Sequence, residues 1–329
     1  MAGRPTISSV IPPRAVEGGR VALHGRDFPV DPLPEIVVGD QPARVLFASS
    51  TRIIIAIPSD LEGGPQPVRI AGESDGDVSV LVGAAWATGL HQVDNPVFDR
   101  EGNLFVTYSG SRGQEAPVSI FRVTRAGTRE PFASGIVNPT SMALGPDGKL
   151  YVSSRFEGAV YRVDADGAHE RVASDLGVAC GLAFDRDGAL YVGDRSGTIF
   201  LVKDGRAETF ATLPPSVAAF HLAISPWGEL FVSAPTLASY DHVYRIDRQG
   251  GVRSLLTPFG RPQGLAFSPD GVLHVVDALA GGSALYRMPD LDGEPELMVA
   301  GAGFVGVAFG PDGELALASN ETAYRFDVI

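Results

Sequence analysis

Few side chains in this chain suit covalent or metal chemistry: one cysteine, Cys180, and six histidines among 329 residues. A single thiol excludes an internal disulfide and any structural zinc site built from several thiolates. Ser141, His221 and Asp94 have the types of a nucleophile, a base and an orienting carboxylate, although no strained nucleophile turn surrounds Ser141. His221 suits a general base, a metal ligand, or a neutral imidazole hydrogen-bonded across a channel. Cys180 beside it would form a thiolate pair, whereas a lone cysteine in an apolar strand is ordinarily inert packing. Arg155 and Arg195 carry forked guanidinium groups that can hold a carboxylate in bidentate fashion. Asp194 and Asp277 occupy matching places along the chain and suit the capping of backbone donors in loops.

These residues sit in an acidic protein, 39 Asp and Glu against 26 Lys and Arg, with a formal net charge of −13. Such a balance repels a phosphate backbone and provides no basic stripe, so DNA and RNA are excluded as general partners. The acidity itself reads as a solubility surface. No apolar stretch near Met1 could serve as a signal peptide, and no segment is long enough to span a bilayer. As given, the chain reads as cytoplasmic; an export signal ahead of Met1 would make it periplasmic or secreted.

The elements that must position these side chains come from an internal repeat. An apolar strand, a turn ending in glycine and a second strand run from Met142 to Val152, and the pattern returns at 96–106, 182–192, 222–232, 265–275 and 307–317. The turn glycines are Gly102, Gly148, Gly188, Gly228, Gly271 and Gly313, spaced 46, 40, 40, 43 and 42 residues apart, which is the spacing of propeller blades. A third strand ending in an aromatic and a basic residue follows in most copies, and a weaker fourth strand after it. The sixth copy stops after its third strand, so its outer edge would lie bare. Val78 to Ala87 is expected to supply the missing strand, or else to continue the domain before it.

From Pro5 to about Gly76 the texture differs: short β-branched runs cut by turns, as in a small sandwich. The fold class expected is therefore all-β, an immunoglobulin-like sandwich over 1–76 followed by a six-bladed β-propeller over 77–329. The first segment, with its Ile7 to Pro13 start, its Gly25 and Phe28, and its Ile53 to Pro58 run, resembles the IPT/TIG domain. There the resemblance has Gly25 permitting a bend and Phe28 plugging one end of the sandwich. The repeat, typified by Leu182 to Asp194, resembles NHL-repeat propellers and the gluconolactonase and senescence-marker-protein family.

The second resemblance implies one divalent metal on the central axis, held by a glutamate, an asparagine and an aspartate with another asparagine nearby. Aligned on the turn glycines, those positions hold Asp94, Thr140, Cys180 and Phe220. One carboxylate with a threonine hydroxyl is too little charge to dehydrate a hard cation, so a divalent metal is disfavoured and no cofactor is expected. The axial mouth is expected to be lined by Asp94, Thr140, Ser141, Cys180, Phe220, His221 and Gln263, with Tyr108, Arg155, Asp194, Arg195, Asp277 and Asn320 on its rim. The loops Ser109 to Pro117 and Ala234 to His242 are the longest within blades, where recognition tends to sit.

The function expected is a binding propeller that takes a small polar molecule or a peptide at its mouth, with the sandwich as an accessory module and contact surface for a protein partner. Against it stand a lactonase-like hydrolase or lyase with a rearranged site using Asp94 and His221, for which a transition metal would suit imidazole better than calcium, and an envelope scaffold that binds proteins through both domains.

Overall fold

The structure, a computed structural model, describes residues 4–73, 78–279 and 282–327, and among them every regular element is a β-strand. In the first domain the strands Thr6–Ile11, Arg20–Arg26, Arg52–Ala56 and Gln41–Ala48 lie side by side, and Ile36–Val38 and Gly64–Ile70 carry the sheet onward. Alternation decides which face is buried: Val21, Leu23, Ile53 and Ile55 close the core with Phe28, Ile36, Val38 and Val68. Gly25 lies within a strand, opposite Ile7. A Cβ there would stand 2.0 Å from the Thr6 carbonyl oxygen and 2.4 Å from the Phe28 ring. The glycine is thus required by the close approach of Phe28 and not by a bend; Asp27, at φ 57°, takes the left-handed conformation instead.

Six four-stranded antiparallel blades follow. Blades one to five occupy 97–133, 139–173, 179–212, 221–259 and 262–300 in chain order. All six turn glycines adopt φ between 75° and 87°, which a side chain would oppose. The recurrent aromatic and basic pair divides its labour: Tyr161 and Tyr324 are buried between sheets, while Arg122, Arg162 and Arg287 lie opposite Glu130, Glu170 and Glu296 and pair with them. Being half exposed, such pairs add little each.

The run expected as one strand over 78–87 is two in the structure, with Gly83 between them. Ala84–Thr88 pairs with Thr322–Phe326 in the sixth blade, whereas Ser79–Val82 pairs with Gly64–Ile70 of the sandwich. A short strand, Arg14–Ala15, runs parallel to both Ser79–Val82 and Glu296–Ala300. Five blades are therefore separate sheets, and the fifth in chain order continues through Arg14–Ala15 into the sandwich as a single sheet of twelve strands. Val16 is buried among Val276, Leu285, Phe304, Tyr324 and Phe326, and Tyr324 Oη donates to Glu17 at 2.8 Å. The two domains share a core.

Candidate functional site

The residue eight positions before each turn glycine is Asp94, Thr140, Cys180, Phe220, Gln263 and, in the sixth blade, Val305. A cavity of about 490 Å³ opens there, lined among others by Cys180, Gln263, Val305, Arg155, Arg195 and Arg261. Val93, Ala218, Ala219 and Asn320 complete much of its wall.

Beneath the cavity, His221 of blade four reaches across the axis to blade one, where its Nδ1–H donates to the Asp94 carboxylate. Its Nε2 lies 3.1 Å from the Gln263 side-chain amide oxygen. Asp94 also accepts the Asn95 N–H at 2.7 Å, and its own carbonyl accepts from the Gln92 amide at 2.7 Å. Gln92 in turn accepts the Thr107 N–H at 2.7 Å. His221 is 0% exposed and Asp94 1%, and each imidazole nitrogen faces a side-chain oxygen, one of Asp94 and one of Gln263. Neither member of this dyad lines the cavity; Gln263, which does, links it to His221 and makes the pair a floor behind the wall.

The other expected site residues divide clearly. Thr140 is buried and donates to the Asn138 carbonyl at 3.0 Å. Ser141 Oγ accepts the Leu182 N–H at 3.0 Å, tying blade two to blade three, so Ser141, His221 and Asp94 do not assemble into a triad. Phe220 is fully buried packing against Cys180 and Leu222. Asp194 accepts from the Val178 and Ser196 N–H groups, and Asp277 from those of Gly260 and Arg261, which makes both loop caps. Tyr108 packs edge-on to His91 and Phe121 and is not part of the cavity wall. Asn320 donates to the Gln92 carbonyl at 2.7 Å at the rim. Arg261 was missed from the sequence, although it lies ten residues before its turn glycine, in the register of Gln92 and Asn138, and that spacing could have found it.

Burial pushes the Cys180 thiol up to about 12, and the Asp94 carboxylate adds to the effect. A metal on the axis would need donors that these residues do not offer. Asp94 is held by His221 and Asn95, Thr140 points its hydroxyl at a carbonyl, Cys180 stays protonated and Phe220 contributes only carbon. Among the described residues no group of three or more His, Cys, Asp and Glu side chains could hold an ion. The donor set does not fit the metal that the family resemblance implies.

Charge in the cavity runs against the whole protein. Arg155, Arg195 and Arg261 line it, and among the described residues no acidic side chain is in the wall and none of the three has a carboxylate within 4.0 Å. Burial pushes the Arg155 guanidinium below its ordinary value, and Arg195 and Arg112 push the same way.

Residues 5–88 match the family model of the IPT/TIG domain. The N-terminal domain is an IPT/TIG domain. Among solved structures, an auxiliary nutrient binding protein from Bacteroides thetaiotaomicron is 11% identical with a TM-score of 0.57, each chain covered to 98%. Since that alignment spans the whole chain, it includes the IPT/TIG domain as well as the ring. A candidate gluconolactonase is 17% identical over 73% of this chain and 90% of its own, with a TM-score of 0.59. Virginiamycin B lyase from Staphylococcus aureus is 12% identical over 74% of this chain and 86% of its own, with a TM-score of 0.51. Such identities establish the propeller fold and leave the chemistry open. No curated protein matches the chain. No described helix is long and apolar enough to cross a membrane.

Proposed function

We propose that this protein is a binding propeller that takes a small anionic molecule, bearing a carboxylate or a phosphate, in its axial mouth. The observation that carries the reading is the trio Arg155, Arg195 and Arg261 around one cavity without a neighbouring carboxylate. A cavity of about 490 Å³ lies within the roughly 300–1,000 Å³ typical of small-molecule sites. Guanidinium forks bind carboxylate and phosphate in two parallel hydrogen bonds, and partial burial strengthens each one. The likeness to a nutrient binding protein agrees with this reading.

The test is calorimetry with gluconate, citrate and glucose 6-phosphate, with glucose as the neutral control. Anions should bind and glucose should not, and Arg155→Ala or Arg195→Ala should weaken binding about tenfold or more, the loss expected for a charged hydrogen bond of about 1.5–3 kcal/mol. Equal binding of glucose, or indifference to both substitutions, would refute it. A second reading, a lactonase-like hydrolase or lyase, is favoured by the contact between His221 and Asp94, the pairing that a general base uses. It requires lactone or ester turnover by the wild-type protein that Asp94→Ala abolishes.

A further inference from the structure

A second and larger cavity, about 930 Å³, lies between the IPT/TIG domain and blade five. Its wall on the IPT/TIG side is the outer face of a sheet whose inner face is the domain core. The run Ile53, Ile54, Ile55 shows how: with side chains alternating, Ile53 and Ile55 enter the core and Ile54 points the other way. Register then lays out one apolar row across four strands, Ile11 opposite Ala22, Ala22 opposite Ile54 and Ile54 opposite Phe47, and all four line the cavity. Ile11 and Phe47 are each 50% exposed. A sheet face turned to solvent would ordinarily carry polar residues here.

The opposite wall is apolar as well. Tyr286 and Leu297, a cross-strand pair in blade five, face it, with Ala284 and Ala300 beside them. Flanking the apolar row on the IPT/TIG side are Arg20 and the cross-strand pair His24 and Arg52. Among the described residues no Asp or Glu lines the cavity, in a chain with 39 of them, and neither Arg20 nor Arg52 has a carboxylate within 4.0 Å.

We infer that this groove is a binding site for a free single-chain anionic amphiphile, whose hydrocarbon lies along the row Ile11, Ala22, Ile54 and Phe47 and whose carboxylate or phosphate meets Arg20 and Arg52. An apolar floor flanked by cations fits one molecule that is both apolar and negative. A neutral amphiphile would leave the guanidinium groups unanswered, and a small hydrophilic anion would leave the apolar row wet. The groove adjoins the arginine mouth at Ala278 and Gly303, the two residues that line both cavities, but its cations, Arg20 and Arg52, are not those of the mouth. It gives the IPT/TIG domain a role as one wall of a binding site.

Dodecanoate and dodecyl phosphate are the probes, titrated below their micelle concentrations by calorimetry, with dodecyl maltoside as the neutral control and phosphatidylglycerol vesicles as the membrane control. With the mouth saturated by citrate, both anions should bind in a one-to-one ratio. Arg20→Ala with Arg52→Ala should weaken them about tenfold or more, Phe47→Ser should do so with the arginines intact, and Arg155→Ala should change nothing. Phe47 and both arginines are exposed on this face, so these variants keep the core whole. Equal affinity for dodecyl maltoside, binding to vesicles but not to free dodecanoate, no binding, or indifference to Arg20→Ala with Arg52→Ala would each overturn the inference. Loss of dodecanoate binding in Arg155→Ala alone would move the site to the mouth.

Discussion

Removing the carboxylate of Asp94 tests whether the floor of the mouth is structural. Asp94→Ala leaves the fully buried His221 without the partner of its Nδ1–H and removes the acceptor of the Asn95 N–H. Breaking a buried pair by deleting one partner costs about 3–5 kcal/mol, because the survivor is stranded without water. At about 2 °C of melting temperature per kcal/mol in a chain of this size, Tm should fall by roughly 6–10 °C. Asp94→Asn keeps an acceptor oxygen for the imidazole and should lose about half as much. Urea denaturation followed by tryptophan fluorescence reads both variants, and His221→Ala completes a double-mutant cycle whose coupling should exceed about 2 kcal/mol. If Asp94→Ala unfolds within 1 kcal/mol of the wild type, the dyad is neither desolvated nor structural, and the account of a closed floor fails.

Gly25→Ala drives a methyl group into the Thr6 carbonyl and the Phe28 ring, so it should destabilise the protein by at least 2 kcal/mol, read as a lowered urea midpoint. Cys180, buried and pushed up to about 12, should resist Ellman's reagent at pH 8 until the protein unfolds. Its raised folded value also sets a sign: the unfolded thiol ionises first, near its ordinary 9.0, so stability should fall between pH 9 and about 12. Cys180→Ala should flatten that fall, and an unchanged slope would refute the assignment. Val16→Asp places an unpaired carboxylate in the core shared by the two domains, and calorimetric scans should change from one unfolding transition to two.

The ring was legible because turn glycines and strand pairs repeat at a nearly constant interval, and each needs a residue type that leaves a mark. The floor was half legible. The register named Asp94, Cys180, Phe220 and Gln263, but nothing local distinguishes a side chain that crosses the axis, as His221 does, from one that bonds only the neighbouring blade, as Ser141 does. Arg155 and Arg195 end second strands and stand out in the repeat, whereas Arg261 lies in a linker and shows its place only when the linkers too are aligned on the turn glycines. Of the run over 78–87 the closing role holds for its second half and not for its first, for a related reason: a run apolar on both faces does not reveal that its two halves pair with different domains. Likewise Ile54 reads as core like its neighbours, and only the register across four strands shows that it faces the groove.

The closure of the ring by Ala84–Thr88 has a consequence during synthesis. This strand leaves the ribosome about 230 residues before its partner, Thr322–Phe326, exists. At about 5–20 residues per second it waits roughly 12–45 s with its hydrogen-bonding groups unanswered, directly behind a domain that has already had time to fold. The nascent chain therefore carries an open β-edge for most of its translation, and a chaperone or a slow patch of codons would have most effect in that interval.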